Sequence, residues 1–208
     1  MLTNRNASNI SFGIGVIVSP REYYKKPLYE LRNAGKYVGG PFTLKESRFL
    51  DSQGYTEGMR ICSAGILTAP DSKEFYMFHL NPEDFDNAWY AVRLALKEAQ
   101  KRIKEGCKKP LEGFLLGANI NNILSMGKAH NLINFFQGKG IKFSALLGQS
   151  TGDAAFHYSL PKNEVTVKFD GVWGVKNIAD LRENFATVIK GQNEFKFEPK
   201  ILDAEASL

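Results

Sequence analysis

From Asn81 to Gly106 the apolar residues return every three or four positions, and this stretch limits the possible folds more than any other. Phe85, Ala88, Trp89, Val92, Leu96, Ala99 and Ile103 make one face. That is the period of an amphipathic helix, which needs an apolar surface to lie on. Asn81 as N-cap, Pro82 at the first helical position and acids in the first turn predict a helix over 82–105, ended by Gly106.

The flanking residues supply the surface. Residues 60–68 and 74–80 are short apolar runs separated by Ala69-Pro70-Asp71-Ser72-Lys73, which reads as two paired strands and a hairpin-type turn. Further strands are expected at 10–18, 112–118, 141–147, 154–160 and 163–169, the last two joined through Pro161-Lys162-Asn163. A second helix is expected from Met126 to Phe136, broken by Gly138 and Gly140. A last helix, capped by Asn177, should run to about Ile189 with Leu181, Phe185 and Val188 inward. Residues 20–58 show no long period, and those from about Pro199 read as frayed. Strands interspersed with three helices predict an α+β fold, with mixed sheets in a sandwich-like core and helices packed outside. No linker interrupts the pattern, so residues 1–208 read as a single domain. Hydrophobic residues make up 43% of the chain, including 15 Phe and 8 Tyr, ample material for a core.

The charge of +5 is mildly basic. Six of the thirteen residues from Lys97 to Lys109 are Lys or Arg, a cluster that reads first as a solvated helix face. A positive surface suits an acidic protein partner, and no motif points to nucleic acid. No apolar run approaches the ~20 residues of a membrane span. Met1 to Asn9 is polar and lacks a signal-peptide core, so the expected location is the cytoplasm, or outside the cell after export without a cleaved signal. Cys62 and Cys107 do not make a disulfide framework.

Chemistry is best sought at Cys62 and His79, which fall on the two strands of the predicted hairpin. A nucleophilic Cys needs a neighbouring base, because the thiolate is the attacking species, and the base in turn needs a third group to fix its tautomer. Taken alone, a Cys in an apolar strand is more often core filling. The other candidates are thinner. His130 and His157 stand apart from each other, no Cys/His/Asp cluster has metal spacing, and Gly13 and Gly15 lack the rest of a dinucleotide loop. Asn119, Asn121 and Asn122 read first as turn residues, with Asn119 the best candidate to line a site, and Gly148 to Gly152 reads first as a loop and second as an anion cradle.

Thr56 precedes Cys62 by six residues. The order Thr-x5-Cys-x16-His resembles the chemoreceptor glutamine deamidases of the CheD family. Leu116-Gly117-Ala118-Asn119 is similar to that family's Gly-Gly-Ala-Asn turn. Gly127 and Asn131 fall where the family has a glycine and an asparagine, and Gly148 and Gly152 match part of a glycine-rich turn. The resemblance is collinear over residues 50–169, leaving 1–49 and 170–208 as extensions. The chain differs from the family at Gly58-Met59-Arg60-Ile61, at Leu116 and at Asp153.

The resemblance implies a cysteine-dependent protein-glutamine deamidase, an architecture shared with toxins of the cytotoxic necrotizing factor type. Cys62 would be the nucleophile, His79 the base and Thr56 the group that orients the ring. Asn119, Gly117 and Gly148 would touch substrate. Neither metal nor cofactor is implied, and the partner would be a protein bearing an accessible glutamine. Two other readings use the same residues: a binding module that has lost turnover, and a small-molecule amidase or esterase.

Overall fold

Residues 13–20, 34, 36–39, 47–82, 85–172, 174–192 and 195–198 are described by the computed structural model, with backbone only at 85–88. Their elements in chain order are β1 (Gly15–Ser19), β2 (Arg48–Leu50), β3 (Gln53–Glu57), β4 (Ser63–Thr68), β5 (Phe75–Leu80), α1 (Phe85–Lys104), β6 (Glu112–Asn119), α2 (Ile123–Gly138), β7 (Lys142–Gln149), β8 (Ala154–Ser159), β9 (Glu164–Phe169), α3 (Ile178–Arg182), β10 (Phe185–Ile189) and β11 (Phe195–Phe197).

The strands form two mixed sheets, one in the order β11-β1-β9-β8-β3 and the other in the order β10-β7-β6-β4-β5-β2. Two mixed sheets with three helices, counted among the described residues, make a mixed α and β architecture consistent with the α+β reading. β4 and β5 pair antiparallel across the predicted turn. β6 and β7 are parallel, with α2 as the crossover that a parallel pair requires. The flanking segments are structural: β1 and β11 belong to the five-stranded sheet and β10 to the six-stranded one.

Side-chain alternation divides the core. Ala64, Ile66, Phe75, Met77, Phe114 and Leu116 of one sheet meet Phe156, Tyr158, Val165 and Val167 of the other. Edge-to-face pairs cross the gap, Phe114 with Phe156 at 5.5 Å and Phe75 with Tyr158 at 4.7 Å between centroids. The opposite face of the six-stranded sheet, with Leu67, Phe78, Leu115 and Leu147, is covered by Val92, Leu96, Ala99 and Ile103 of α1 and by Leu132 and Phe136 of α2. β4 and β5 are therefore buried on both faces, which is why they read as continuous apolar runs.

The structure corrects two expectations. α1 begins at Phe85, so Asn81 and Pro82 lie before the helix rather than opening it. The expected last helix is two elements. Asn177 does cap a helix, its Oδ1 accepting from the N–H of Ala179 and of Asp180, but that helix ends at Arg182. Phe185–Ile189 is then an edge strand, paired antiparallel from Phe185 with Gln149 to Ile189 with Ala145. Leu181, Phe185 and Val188 mimic a helical period, but the exposed edge of β7 offers a ladder to the β-branched Thr187, Val188 and Ile189. Part of the expected strand at 10–18, the side chain of Phe85 and the tail beyond Glu198 lie outside the described residues.

Candidate active site

The hairpin places Ala64 opposite His79. Cys62, two residues before Ala64, shares its face and faces the gap between the sheets. His79 has the parity of Phe75 and Met77, which fill that gap, while Phe78 and Leu80 face the helices. Carried one residue before the start of β4, the register makes His79 and Cys62 diagonal neighbours, a relation that corresponds to about 7–8 Å between backbones. From the other sheet comes Thr56, opposite Phe156 in register and turned into the same gap. Thr56 Oγ1 and His79 Nδ1 hydrogen-bond at 2.8 Å, joining the two sheets. All three side chains are buried: Thr56 is 0% exposed, Cys62 3% and His79 3%.

Burial also sets the charge. It pushes the His79 pKa down to about 4, so the ring is neutral at pH 7. Its Nε2 has no hydrogen-bond partner among the described residues. With Nδ1–H donating to Thr56 Oγ1, Nε2 presents a bare lone pair, the form a general base needs. With the hydroxyl donating instead, Nε2 carries the proton. Desolvation opposes a resting imidazolium–thiolate pair, so the arrangement suits removal of the thiol proton as attack proceeds.

Backbone geometry presses closely on Cys62. Gly117 has φ of +111°, and a Cβ there would stand 2.2 Å from the Cys62 carbonyl oxygen. That oxygen accepts from the N–H of Ala118 at 2.8 Å, and Ala118 itself holds φ of 59°. Asn119 Oδ1 accepts from the N–H of Asn121 at 2.8 Å, an Asx turn. The Asn119 N–H donates to Ser125 Oγ at 2.9 Å, and Ser125 Oγ donates in turn to the Ile61 carbonyl. Asn122 caps α2 through Ser125 N–H at 2.9 Å. Gly148 has φ of +74° and packs between Ala186 and Met126.

Sequence reasoning missed Gln149. This fully buried side chain donates through Nε2 to the carbonyls of Met59 and Arg60. The only signal for it was a long polar residue between two glycines. His157 lies across the five-stranded sheet, its Nε2 3.1 Å from Gln53 Oε1, while His130 is exposed on α2. No group of three His, Cys, Asp or Glu among the described residues is placed to hold a metal ion. No helix among them is long and apolar enough to cross a membrane. No family model matches the chain, and no curated protein matches it either.

Proposed function

We propose that the chain is a cysteine-dependent protein-glutamine deamidase with a CheD-like fold. The observation that carries this reading is the Thr56–His79 hydrogen bond across two sheets, which leaves His79 Nε2 unpartnered on the face that Cys62 shares. A histidine kept in a core only for packing gains nothing from an unpartnered ring nitrogen, which costs about 1–3 kcal/mol when buried.

Cys62 Sγ bonds to the carboxamide carbon of a glutamine side chain as His79 Nε2 takes the thiol proton. The carbonyl π electrons move to oxygen, giving a tetrahedral oxyanion. His79 returns the proton to nitrogen, the C–N bond breaks and ammonia leaves a thioester. Water, deprotonated by His79, adds to the thioester. Loss of the Cys62 thiolate yields glutamate, and the proton on His79 restores the thiol. The same steps hydrolyse a glutamate methyl ester, with methanol leaving instead. Thr56 holds the ring in the tautomer that makes Nε2 the base. The substrate is a glutamine on a partner protein, and the charge of +5 favours an acidic one.

The test is capture of a partner with the Cys62→Ser protein, followed by exposure of that partner to active protein. The expected result is a gain of about one mass unit at a single glutamine, since OH replaces NH₂. Identical partner masses after both treatments, with no methyl-ester loss, would overturn the proposal. The near-complete burial of Cys62 supports a second reading, a binding module that kept the fold and lost turnover. Identical masses would select it.

A further inference from the structure

The chain in front of Cys62 is held in an order that an extended strand does not give. Successive carbonyls of a strand point to opposite sides. Here those of Met59 and Arg60 converge on one atom, Gln149 Nε2, which also lies 3.4 Å from the Gly152 carbonyl. The next carbonyl, that of Ile61, accepts from Ser125 Oγ. The Met59 N–H is anchored to the Ala154 carbonyl at 3.2 Å. In a trans peptide the N–H lies opposite the C=O of the same unit, and no cis bond occurs among the described residues. The N–H groups of Arg60 and Ile61 therefore both point away from Gln149. Among the described residues no acceptor takes either one. Successive N–H groups on one side of a turned chain form a concavity suited to an anion.

Gln149 is placed for this task at some cost. Ala145 and Leu147 face the helices and Leu146 the inter-sheet core, so alternation would send residue 149 to the helix side. The positive φ of Gly148 breaks the alternation, and the side chain reaches the Met59–Arg60 turn instead. Its own Oε1 is left buried with no partner among the described residues. Such an unsatisfied acceptor costs free energy, so the amide is retained for what its nitrogen holds.

We infer that Gln149 is a positioning residue: by gathering the carbonyls of Met59 and Arg60 it aims the N–H groups of Arg60 and Ile61 as the oxyanion hole for the tetrahedral intermediate on Cys62. The inference rests on the deamidase reading. The test uses the full chain carrying Cys107→Ser, so that Cys62 is its only thiol. Gln149→Met keeps the length of the side chain and removes its hydrogen bonds. Two rates are compared, ammonia release from benzyloxycarbonyl-Gln-Gly and alkylation of Cys62 by iodoacetamide. Alkylation displaces iodide at a saturated carbon and forms no oxyanion.

Gln149→Met should lower kcat by about 100-fold, the scale of losing oxyanion-hole donors, with KM and the alkylation rate within about twofold. Gln149→Glu should recover part of kcat at acid pH, where its protonated carboxyl can donate, and lose it once ionised against the carbonyls. An unchanged kcat in both variants would overturn the inference. So would a parallel change in kcat and alkylation, which would mark a general structural role. If the parent releases no ammonia from this dipeptide, the deamidase reading is decided by the partner-mass test alone. Gln149 is then tested on a peptide aldehyde, to which the thiol adds reversibly to give a hemithioacetal, a tetrahedral carbon whose oxygen occupies the oxyanion position. A tenfold loss of aldehyde affinity in Gln149→Met would sustain the positioning role, and equal affinity, or no binding by the parent, would end it.

Discussion

Replacing Thr56 by Val keeps the shape of the side chain and deletes the hydroxyl that bonds His79 at 2.8 Å. The ring then loses the net worth of one hydrogen bond, about 0.5–1.5 kcal/mol, and Nδ1 is stranded beside the already unpartnered Nε2. Both residues are at least nine-tenths buried, so water does not compensate, and the expected total is about 1–3 kcal/mol. The informative measurement is a double-mutant cycle with His79→Leu. That substitution removes both ring nitrogens and leaves the Thr56 hydroxyl stranded, so adding Thr56→Val should then cost little or be stabilising. The coupling should be about 1 kcal/mol or more. Urea unfolding of the four proteins reads it from midpoints at constant m. Equal costs of Thr56→Val in both backgrounds, within about 0.5 kcal/mol, would show that this hydrogen bond does not join the sheets.

Other outcomes follow from the same geometry. The folded-state pKa of His79, near 4, lies below the unfolded value of 6.5, so its stabilising contribution is complete above pH 6.5 and is lost as pH falls toward 4. That contribution is on the order of 3 kcal/mol, and unfolding of the parent and of His79→Leu from pH 4 to 7.5 should show the slope only in the parent, apart from a background shared through His157. Phe114→Ala, which empties the centre of the inter-sheet core, should cost about 3–5 kcal/mol in chemical denaturation. Trp89→Ala should cost clearly less, because Trp89 is only half-buried at the edge of the helix layer. Gly117→Ala should cost about 1–3 kcal/mol from its positive φ alone and, by displacing the Cys62 carbonyl, should change the rate of Cys62 alkylation.

The legible parts of this chain were those where one local period ran long enough to be heard. The helix face from Val92 to Ile103 and the hairpin that brings Cys62 beside His79 announce themselves within about twenty residues. The hairpin pointed to Cys62 and His79 and the family resemblance added Thr56; the fold brings all three to one gap, although nothing local says that Thr56 arrives from the other sheet. What escaped was decided by distant partners. β2, β3 and β11 are three to five residues long and exist because other strands offer free ladders. Phe185–Ile189 carries a helical spacing and is a strand for the same reason. Gln149 carried little local signal beyond its place between two glycines, since its meaning lies in two carbonyls some ninety residues earlier in the chain. Asn119, expected from the resemblance to touch substrate, closes an Asx turn with the N–H of Asn121.

Thr56 sits on β3, which pairs with β8 on one side and meets residues 36–38 through the Tyr37–Tyr55 bridge on the other, so its ladder neighbour Phe156 is synthesised one hundred residues later. The sheet that carries it also sets β1 between β9 and β11, which come from the far end of the chain. A ribosome that has released both Cys62 and His79 has therefore released a thiol and an imidazole with no opposing wall. The ring meets the Thr56 hydroxyl only when the second sheet closes over the first. A product that stops short of β8 and β9 therefore holds Thr56 and His79 without the sheet that brings them together.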